Sequence, residues 1–293
     1  MKISDKNLYY VGGVVRDEIL GAKSFDIDYL YEGNAIEFAK KLGLNIIKEN
    51  PAFGTVRALI DGKEIDIAST REEDYPQKGK LPVVKNIGCR LIDDLKRRDF
   101  TINAMVKRTT DGEILDFYNG LEDIKNKKLR VLHDKSFIDD PTRVLRALKF
   151  SVRFGFELEE HTKKLQKEYL KNINYDMSYH RLKKELVETF NLNSQKAYEK
   201  FIDNGLYKLL SDEEQDLTKY NIQNALDNFE TEHIWLIYLS QFDLSNIELT
   251  RKEKKILEWA KRLETDSPTN NTPKESLIIK QIRSQCTFPS VSF

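Results

Sequence analysis

The feature that most restricts the fold of this chain is a glycine pair between a short apolar run and an amphipathic stretch. Residues 8–13 are LYYVGG, and residues 14–20 continue with helical spacing that Gly21 closes. A β-type run that ends in Gly-Gly and continues as a helix is typical of a strand, a tight turn and a helix. Residues 25–31, FDIDYLY, then alternate with the period of a second strand.

Strand and helix patterns continue to about residue 70. Residues 35–42 have helical spacing, and strand-like runs follow at 44–49, 55–61 and 63–68. Asp61-Gly62 is the turn signal of a hairpin between the last two runs. Residues 71–92 contain two prolines, two glycines and many charges, so we predict a long loop there.

Beyond Asp94 the sequence predicts mostly helix, except at 111–132, where Asp-Gly and Asn-Gly pairs mark turns. From residue 141 apolar side chains recur at helical spacing to about residue 262. The predicted fold class is α+β, a mixed sheet with helices followed by an all-α region. The length of 293 residues suggests about two domains.

Several classes of protein are excluded by what the sequence lacks. No run approaches the roughly 20 apolar residues of a membrane-spanning helix, and the first residues lack the apolar stretch of a secretory signal. Cys89 and Cys286 are too few for a disulfide framework and fit a reducing compartment. We therefore predict a cytoplasmic protein with no membrane partner, and no motif implies a protein partner.

The acidic residues of the second strand suggest a metal site. Residues two apart on a strand point to the same face, so Asp26 and Asp28 project two carboxylates together, while Ile27 points into the core. Two close carboxylates repel unless a cation lies between them, and hard oxygen ligands suit Mg²⁺ in phosphoryl transfer. Asp66, on another strand-like run, is either a third carboxylate of this site or an exposed acid facing water.

The glycine pair has the properties of a phosphate-binding turn. Backbone N–H groups at Gly12 and Gly13 can approach a phosphate closely, and the following helix adds positive partial charge. Arg16, about one turn into the helix, can donate forked hydrogen bonds to a phosphate or ribose oxygen. A lone glycine pair is usually only a turn, but the glycine pair and the two aspartates on one strand–turn–helix–strand unit together predict a nucleotide site.

Three consecutive basic residues mark a second motif. Lys96, Arg97 and Arg98 cannot share one helix face, so we expect one to point inward toward a triphosphate and one or two toward solvent. Asp99 and Asn103, four residues apart, can contact each other and brace the site.

A third motif, DDPTRVLR at 139–146, predicts the start of a helix, because proline is favoured at the first helical position and aspartate before it. Four basic side chains of this helix fall within roughly a 120° arc beside an apolar stripe. They are Arg143, Arg146, Lys149 and Arg153. Asp140 is either an N-cap or, with Arg143, a hydrogen-bonding pair for a nucleobase, and a capping carboxylate has lone pairs for both.

The neutral net charge does not exclude an RNA partner. The whole chain has 48 basic and 48 acidic residues, but residues 141–200 have 13 against 8 and residues 211–250 have 1 against 9. The basic segment suits a phosphate backbone, although charged helical surfaces in general are an open alternative.

These motifs together resemble the class II tRNA nucleotidyltransferase/poly(A) polymerase family. The resemblance covers about residues 8–190 and rests on five segments in the family's order and spacing. They are GGVVRDEILG, FDID, RRDFTINAM, LDFYNGLEDIKNKKLR and DDPTRVLRALKFSVRFGF. It implies a polymerase-β-like nucleotidyltransferase head (1–133), a helical neck for base recognition (134–190) and a shortened helical body and tail for tRNA binding (191–293).

The resemblance also implies an activity, a cofactor and partners. Members of the family add CTP and ATP to the 3′ end of tRNA with Mg²⁺ and without a nucleic-acid template. Carried over by position, Asp26 and Asp28 hold the metal ions, and Asp66 joins them in the predicted catalytic set. The predicted nucleotide-binding residues are Gly12, Gly13, Arg16, Arg98, Asp140, Arg143 and Arg146. Lys149 stands where some members have a third arginine and is left out, because lysine lacks the planar fork.

The expected function is CCA addition and repair at the tRNA 3′ end with release of pyrophosphate. Within the family the alternatives are addition of CC only, addition of A only, or poly(A) synthesis. A nucleotidyltransferase for small molecules would share the glycine pair and the aspartates without needing DDPTRVLR. A non-catalytic RNA-binding relative would have lost Asp26 and Asp28, which are both present.

Overall fold

The structure is a computed structural model that describes residues 3–23, 27–192, 195–226 and 229–284. The chain divides into two units. The first contains the residues up to Asp140 together with Phe156–Leu165, and the second contains Pro141–Gly155 together with the residues from Gln166 onward. The predicted division into head, neck and body at residues 133 and 190 stays a prediction.

The first unit is built mainly of strands and short helices. Its strands are β1 (Leu8–Val11), β2 (Asp28–Tyr31), β3 (Asn45–Asn50), β4 (Thr55–Ile60), β5 (Lys63–Ser69), β6 (Arg71–Asp74), β7 (Val83–Ile87), β8 (Met105–Arg108), β9 (Ile114–Asp116), β10 (Lys128–Leu129) and β11 (Glu157–Leu158). Its helices up to Asp140 are α1 (Gly13–Ile19), α2 (Ala35–Lys41), α3 (Leu91–Lys96), α4 (Gly120–Lys125) and α5 (Ser136–Asp139), with 3-10 helices at Pro51–Phe53 and Thr101–Asn103.

A seven-stranded mixed sheet in the order β3-β4-β5-β2-β1-β8-β9 forms the centre of this unit. The β2–β5 pair is parallel and the other neighbours are antiparallel. Alternate residues of the central strands enter two cores: Leu8 and Tyr29 pack in the cluster that includes α2, and Tyr9, Val11 and Leu30 pack in the cluster that includes α3. The central strands are therefore apolar on both faces, which fixes their register.

The strand, helix and hairpin predictions for residues 8–70 are mostly confirmed. α1, α2 and β3–β5 lie where the sequence placed them, and Asp61 and Gly62 both adopt positive φ in the hairpin turn. One prediction is wrong: Ile27 is 43% exposed and precedes β2, so it does not enter the core. The alternating pattern continues N-terminally past the point where strand pairing begins. Phe25 and Asp26 lie outside the described residues.

The predicted long loop at 71–92 is also wrong. β6 and β7 form a separate antiparallel pair, with Arg71 opposite Ile87, and α3 begins at Leu91. The residues of β6 that turn inward are charged, and Arg71 forms an ion pair with the buried side chain of Glu73. Because ion pairs rather than apolar side chains fill this face, the hydrophobic pattern could not reveal the hairpin.

Helix was predicted beyond Asp94, but α3 ends at Lys96 and β8 follows the Thr101–Asn103 3-10 helix. The residues from Ala104 to Val106 are completely buried. A short, fully apolar run does not distinguish a buried strand from a buried helix, and pairing with β1 and β9 makes it a strand.

The second unit is helical. The helices after Asp140 are α6 (Thr142–Phe154), α7 (Glu160–Tyr169), α8 (Tyr179–Phe190), α9 (Gln195–Asp203), α10 (Ile222–Ala225), α11 (Ile234–Leu239), α12 (Arg251–Arg262) and α13 (Lys274–Ser284), with a 3-10 helix at Leu206–Leu209. Aromatic rings fill its core: Phe190, Phe201 and Tyr238 are completely buried, and Phe190 contacts both of the others. Trp235 is also buried there, whereas Trp259 is only partly buried.

The predicted α+β class is thus confirmed, with a mixed sheet and helices followed by a helical remainder. The short β11 is an exception within the predicted all-α region, and it pairs in parallel with β10. None of the helices in the described part of the chain combines the length and the apolar character that crossing a membrane requires.

Gly120 is a position where the packing of α4 leaves no room for a side chain. A Cβ atom there would lie 2.5 Å from the Thr101 carbonyl oxygen and 2.9 Å from the Met105 side chain. We expect Gly120→Ala to lower the free energy of unfolding by about 1–3 kcal/mol, the usual cost of overpacking. Urea denaturation measures this change.

The adjacent Leu121→Ala is the control. Leu121 is exposed, so the free energy of unfolding should stay within about 0.5 kcal/mol of the wild-type value. Equal stability of Gly120→Ala and the wild type would contradict the packing of α4 described above.

Candidate active site

Two of the predicted acidic residues lie side by side on the sheet. The parallel pairing of β2 and β5 sets Asp28 opposite Asp66, and the antiparallel pairing of β4 and β5 sets Arg57 on the other side of Asp66. Arg57 donates hydrogen bonds from Nε to Oδ1 and from Nη2 to Oδ2 of Asp66, both at 2.8 Å. Asp66 is therefore next to the aspartate strand, as predicted, but it is held by an arginine, and its part in catalysis stays a prediction.

These carboxylates border a cavity of about 450 Å³ in the first unit. The lining residues are Val11, Asp28, Tyr29, Thr55, Asp66, Ile67, Ala68, Arg71, Arg97 and Arg98. Two acids and three arginines thus meet in one concave space. Such a set suits a polyanion that is bound by guanidinium groups and by a cation held between the carboxylates.

The glycine pair lies against the arginines. Gly12 has a φ of 70°, and a Cβ atom there would lie 3.7 Å from Nη1 of Arg98. A Cβ atom at Gly13 would lie 3.6 Å from Nη2 of Arg16. The positive φ at Gly12 favours glycine, so the turn passes close to both guanidinium groups without strain.

Arg16 lies in the interior next to this turn. It donates from Nε and Nη2 to Oδ1 of Asp17, at 2.9 and 2.7 Å, and from Nη1 to Oδ1 of Asn103, at 2.6 Å. Asn103 in turn donates to Asp99 at 3.0 Å, so the predicted contact between these two residues is present. The predicted contact of Arg16 with a nucleotide stays a prediction, because these hydrogen bonds hold Arg16 within the protein.

Arg98 lies at the cavity with an unused donor. Its Nη2 donates to Oδ2 of Asp94 at 3.2 Å, whereas its buried Nε has no hydrogen-bond partner within the described residues. Burial lowers the pKa of Arg98, against the opposing effect of Asp94. A buried guanidinium with a free N–H is costly unless an acceptor reaches it, which makes Arg98 a candidate anion ligand.

Sequence reasoning missed Asp94, the acid that supports these arginines. Asp94 is completely buried and accepts hydrogen bonds from Arg97, Arg98 and the backbone N–H of Arg71. Burial raises its pKa, but Arg98 and Arg97 outweigh that effect and hold the pKa below its ordinary value. The spacing of three and four residues from Asp94 to the arginines is that of helical ion pairs and could have signalled this role.

The predicted base-recognition residues belong to different units. Asp140 is buried at the end of α5 in the first unit, and Arg143 and Arg146 lie on α6 in the second. The predicted helix start is confirmed, since Pro141 has a helical φ of −59° and α6 begins at Thr142. The roles of Asp140, Arg143 and Arg146 toward a nucleobase stay predictions.

The basic stripe of α6 is not a uniformly open surface. Arg146 pairs with Glu185 of α8 at 3.2 Å, and Lys149 pairs with Glu185 at 2.6 Å and with Glu188 at 2.7 Å. Arg143 is buried, and Arg153 remains exposed at the end of the helix. The sequence correctly placed the charges on one side of α6, but the acids that neutralise two of them come from another helix.

Asp26 lies outside the described residues, so the structure tests only part of the predicted metal site. Within the residues that are described, no cluster of three or more His, Cys, Asp or Glu side chains could hold a metal ion. Cys89 is a free, buried thiol, whose pKa burial raises to about 11, and Cys286 lies outside the described part of the chain.

Comparison with known proteins identifies the head. Residues 8–130 match the family model of the poly(A) polymerase head domain. An A-adding tRNA nucleotidyltransferase of Aquifex aeolicus is 46% identical over 167 residues, which are 55% of this chain and 20% of that protein. A CC-adding tRNA nucleotidyltransferase of Deinococcus radiodurans is 39% identical over 157 residues, 51% of this chain and 41% of that protein.

Solved structures resemble the chain over nearly its whole length. A CCA-adding enzyme in an apo form has a TM-score of 0.76 at 28% identity, covering 93% of this chain and 74% of that one. A tRNA nucleotidyltransferase complexed with a primer tRNA and an incoming ATP analogue has a TM-score of 0.74 at 27% identity. The match covers 95% of this chain and 91% of that one.

The chain spans much less than the full length of the two curated relatives, about a fifth of one and two fifths of the other. The similarity nevertheless includes the polymerase-β-like head and the helical remainder. Residues 8–130 thus match the poly(A) polymerase head domain, and the chain is similar over nearly its whole length to solved tRNA nucleotidyltransferases.

Proposed function

We propose that this protein adds nucleotides from CTP and ATP to the 3′ end of tRNA, completing and repairing CCA, with release of pyrophosphate and without a nucleic-acid template. The match of residues 8–130 to the poly(A) polymerase head domain and the structural likeness to a tRNA nucleotidyltransferase complexed with primer tRNA and an ATP analogue support the proposal. A tRNA substrate would place the protein in the cytoplasm.

One observation carries the proposal furthest. Asp28 and Asp66 line the same cavity as Arg98, whose buried Nε lacks a partner within the described residues. An acidic edge opposite an unsatisfied guanidinium is the arrangement that a triphosphate with a bound cation requires, because the cation takes the carboxylates and the phosphate oxygens take the guanidinium.

The carboxylates of this cavity fit Mg²⁺. Asp28 is exposed, and Asp66 keeps lone pairs beyond the two hydrogen bonds from Arg57, since a carboxylate has about four acceptor sites. Asp28 and Asp66, with Asp26 by resemblance, would hold the metal. When bound, the metal supplies charge stabilisation for the attacking and leaving oxygens of the phosphoryl transfer.

The remaining roles follow from side-chain chemistry. Arg98 binds and orients the phosphates, and the turn at Gly12 and Gly13 lets the nucleotide approach the backbone. Asp140 and Arg143 read the base, because cytosine and adenine both present an amine donor beside a ring-nitrogen acceptor, which an Asp acceptor and an Arg donor can match. We propose that residues 1–133 form the catalytic head, residues 134–190 the base-recognising neck, and residues 191–293 the tRNA-binding body and tail.

Addition of A alone is a second candidate, because the relative with 46% identity is an A-adding enzyme.

Three labelled substrates separate the possibilities: tRNAs that end before CCA, after CC and after CCA, each incubated with Mg²⁺ and CTP, ATP or both. Addition of C, C and A to the first substrate supports the proposal. Transfer only to the second indicates A addition, and addition of CC alone or long A tails indicates the other family activities. Absence of transfer to all three would refute the function.

Replacing Asp28 tests the metal site. We expect Asp28→Asn to lower the transfer rate roughly a hundredfold or more, because metal stabilisation supplies several kcal/mol and about 1.4 kcal/mol is a factor of ten. Single-turnover transfer of labelled ATP to tRNA measures the rate, and circular dichroism checks that the fold is retained.

Glu64→Gln is the matched control for Asp28→Asn. Glu64 lies on β5, is exposed and contacts Arg57 at 3.4 Å, but it does not line the cavity. The control should retain the wild-type rate within about twofold, as neutral surface substitutions do. A similar loss in both variants would argue against a specific role for Asp28.

The ion pairs of α6 determine how its basic stripe contributes to RNA binding. Arg153 is exposed to solvent, whereas the side chain of Lys149 is only 13% exposed and is held by Glu185 and Glu188. If this helix meets phosphates, we expect Arg153→Gln to reduce the slope of log affinity against log salt by roughly 0.7–0.9, the value for one phosphate contact. Lys149→Gln should leave that slope nearly unchanged. Filter binding of tRNA at rising salt measures both, and the opposite order would contradict the pairing.

A further inference from the structure

A largely buried chain of alternating charges forms part of the cavity wall. Its members, in order of contact, are Arg98, Asp94, Arg97, Glu73 and Arg71. Arg97 donates from Nη1 to Oε1 of Glu73 at 2.9 Å, and Arg71 donates from Nε to the same oxygen at 2.8 Å. The carboxylate of Asp94 is completely buried, and that of Glu73 is 3% exposed. Because a buried charge without a partner is strongly destabilising, the acids and the arginines of this chain depend on one another.

The five side chains carry one net positive charge, since three arginines face two carboxylates. Three of the five, Arg71, Arg97 and Arg98, line the cavity. Both carboxylates form ion pairs with Arg97, and Glu73 also pairs with Arg71. Within this chain of charges, Arg98 pairs with Asp94 alone. Arg98 is also the member whose Nε has no partner within the described residues. Within this chain of charges, Arg98 therefore has the donor that a ligand can satisfy.

The two oxygens of Asp94 have different partners. Oδ1 accepts from the backbone N–H of Arg71 and from Nε and Nη2 of Arg97, at 3.0, 3.0 and 2.7 Å. Oδ2 accepts from Nη2 of Arg98 at 3.2 Å. One oxygen thus joins β6 to the end of α3, and the other fixes the direction of the guanidinium at the cavity.

We propose that Asp94 is a positioning residue for nucleotide transfer, which holds Arg98 in the orientation that meets the developing charge on the phosphates. This inference rests on the proposed function. Arg98 is a long side chain with many rotamers, so a partner that orients it before the substrate arrives lowers the cost of reaching the transition state. Glu73 supports Arg97 and Arg71 and has no such effect on Arg98.

Asp94→Asn and Glu73→Gln form a matched pair, because each removes one negative charge from the same chain of charges. In Asp94→Asn the amide oxygen can still accept at the Oδ1 position, where three donors converge, and the amide nitrogen cannot accept from Arg98. We expect kcat for ATP transfer to fall about tenfold or more in Asp94→Asn, the effect of one charge-assisted hydrogen bond, with a smaller effect on the KM for ATP. Glu73→Gln should lower kcat clearly less than Asp94→Asn does, since Arg98 keeps its acceptor.

A double-mutant cycle separates positioning from general damage. If Asp94 acts through Arg98, Asp94→Asn should lower kcat far less in an Arg98→Lys background than in the wild type. In that background the planar guanidinium that Asp94 orients is already absent. Equal losses of kcat in the matched pair, or an undiminished loss in the Arg98→Lys background, would overturn the inference.

Thermal unfolding shows whether Asp94→Asn folds. If Asp94→Asn does not fold, the variants Asp94→Glu and Glu73→Asp, which preserve the charges, replace the first pair. We expect kcat to fall only in Asp94→Glu, and equal kcat values in the two variants would overturn the inference. Wild-type protein is assayed in parallel. Active wild type with no difference within the pairs contradicts the role of Asp94 alone, whereas wild type that transfers no nucleotide refutes the proposed function and the inference with it.

Discussion

The parallel pairing of β2 with β5 is the constraint on which the candidate site depends. It brings two distant segments into register, so that Asp28 and Asp66 stand next to each other on one edge of a cavity. Close carboxylates need a compensating cation, and Arg57 supplies one to Asp66 from the adjacent strand. The sheet can keep this acidic edge because both faces of its central strands are covered by apolar cores.

Behind the acidic edge, buried ion pairs take the place of a hydrophobic core. Removing charges from water is expensive, and the cost is recovered only where each charge has well-placed partners. Asp94 meets this condition with four hydrogen bonds, and the arginines beside it keep its pKa low although it is completely buried. The same network attaches the β6–β7 hairpin to α3, so the shape of the cavity wall and the direction of Arg98 depend on one carboxylate.

The second unit has the opposite character. Aromatic rings such as Phe190 and Tyr238 fill its core, and its charges lie mainly between or outside the helices. Glu185 of α8 binds both Arg146 and Lys149 of α6, which removes much of the positive field that the sequence of α6 implied. The net charge of the segment is therefore a poor guide to the charge that α6 presents to a ligand.

The sequence by itself determined the local chemistry: the strand and glycine turn at Gly12, the hairpin at Asp61-Gly62, and the strands that carry Asp28 and Asp66. These features depend on neighbouring residues, whose periodicity and turn preferences are visible in one dimension. Only the tertiary structure decided which charges meet. Lys149 and Glu185 are 36 residues apart, and β6 is held by ion pairs to α3. Because contacts between distant charged side chains leave no periodic pattern, sequence reasoning predicted a loop at β6–β7, an open basic stripe on α6 and no role for Asp94.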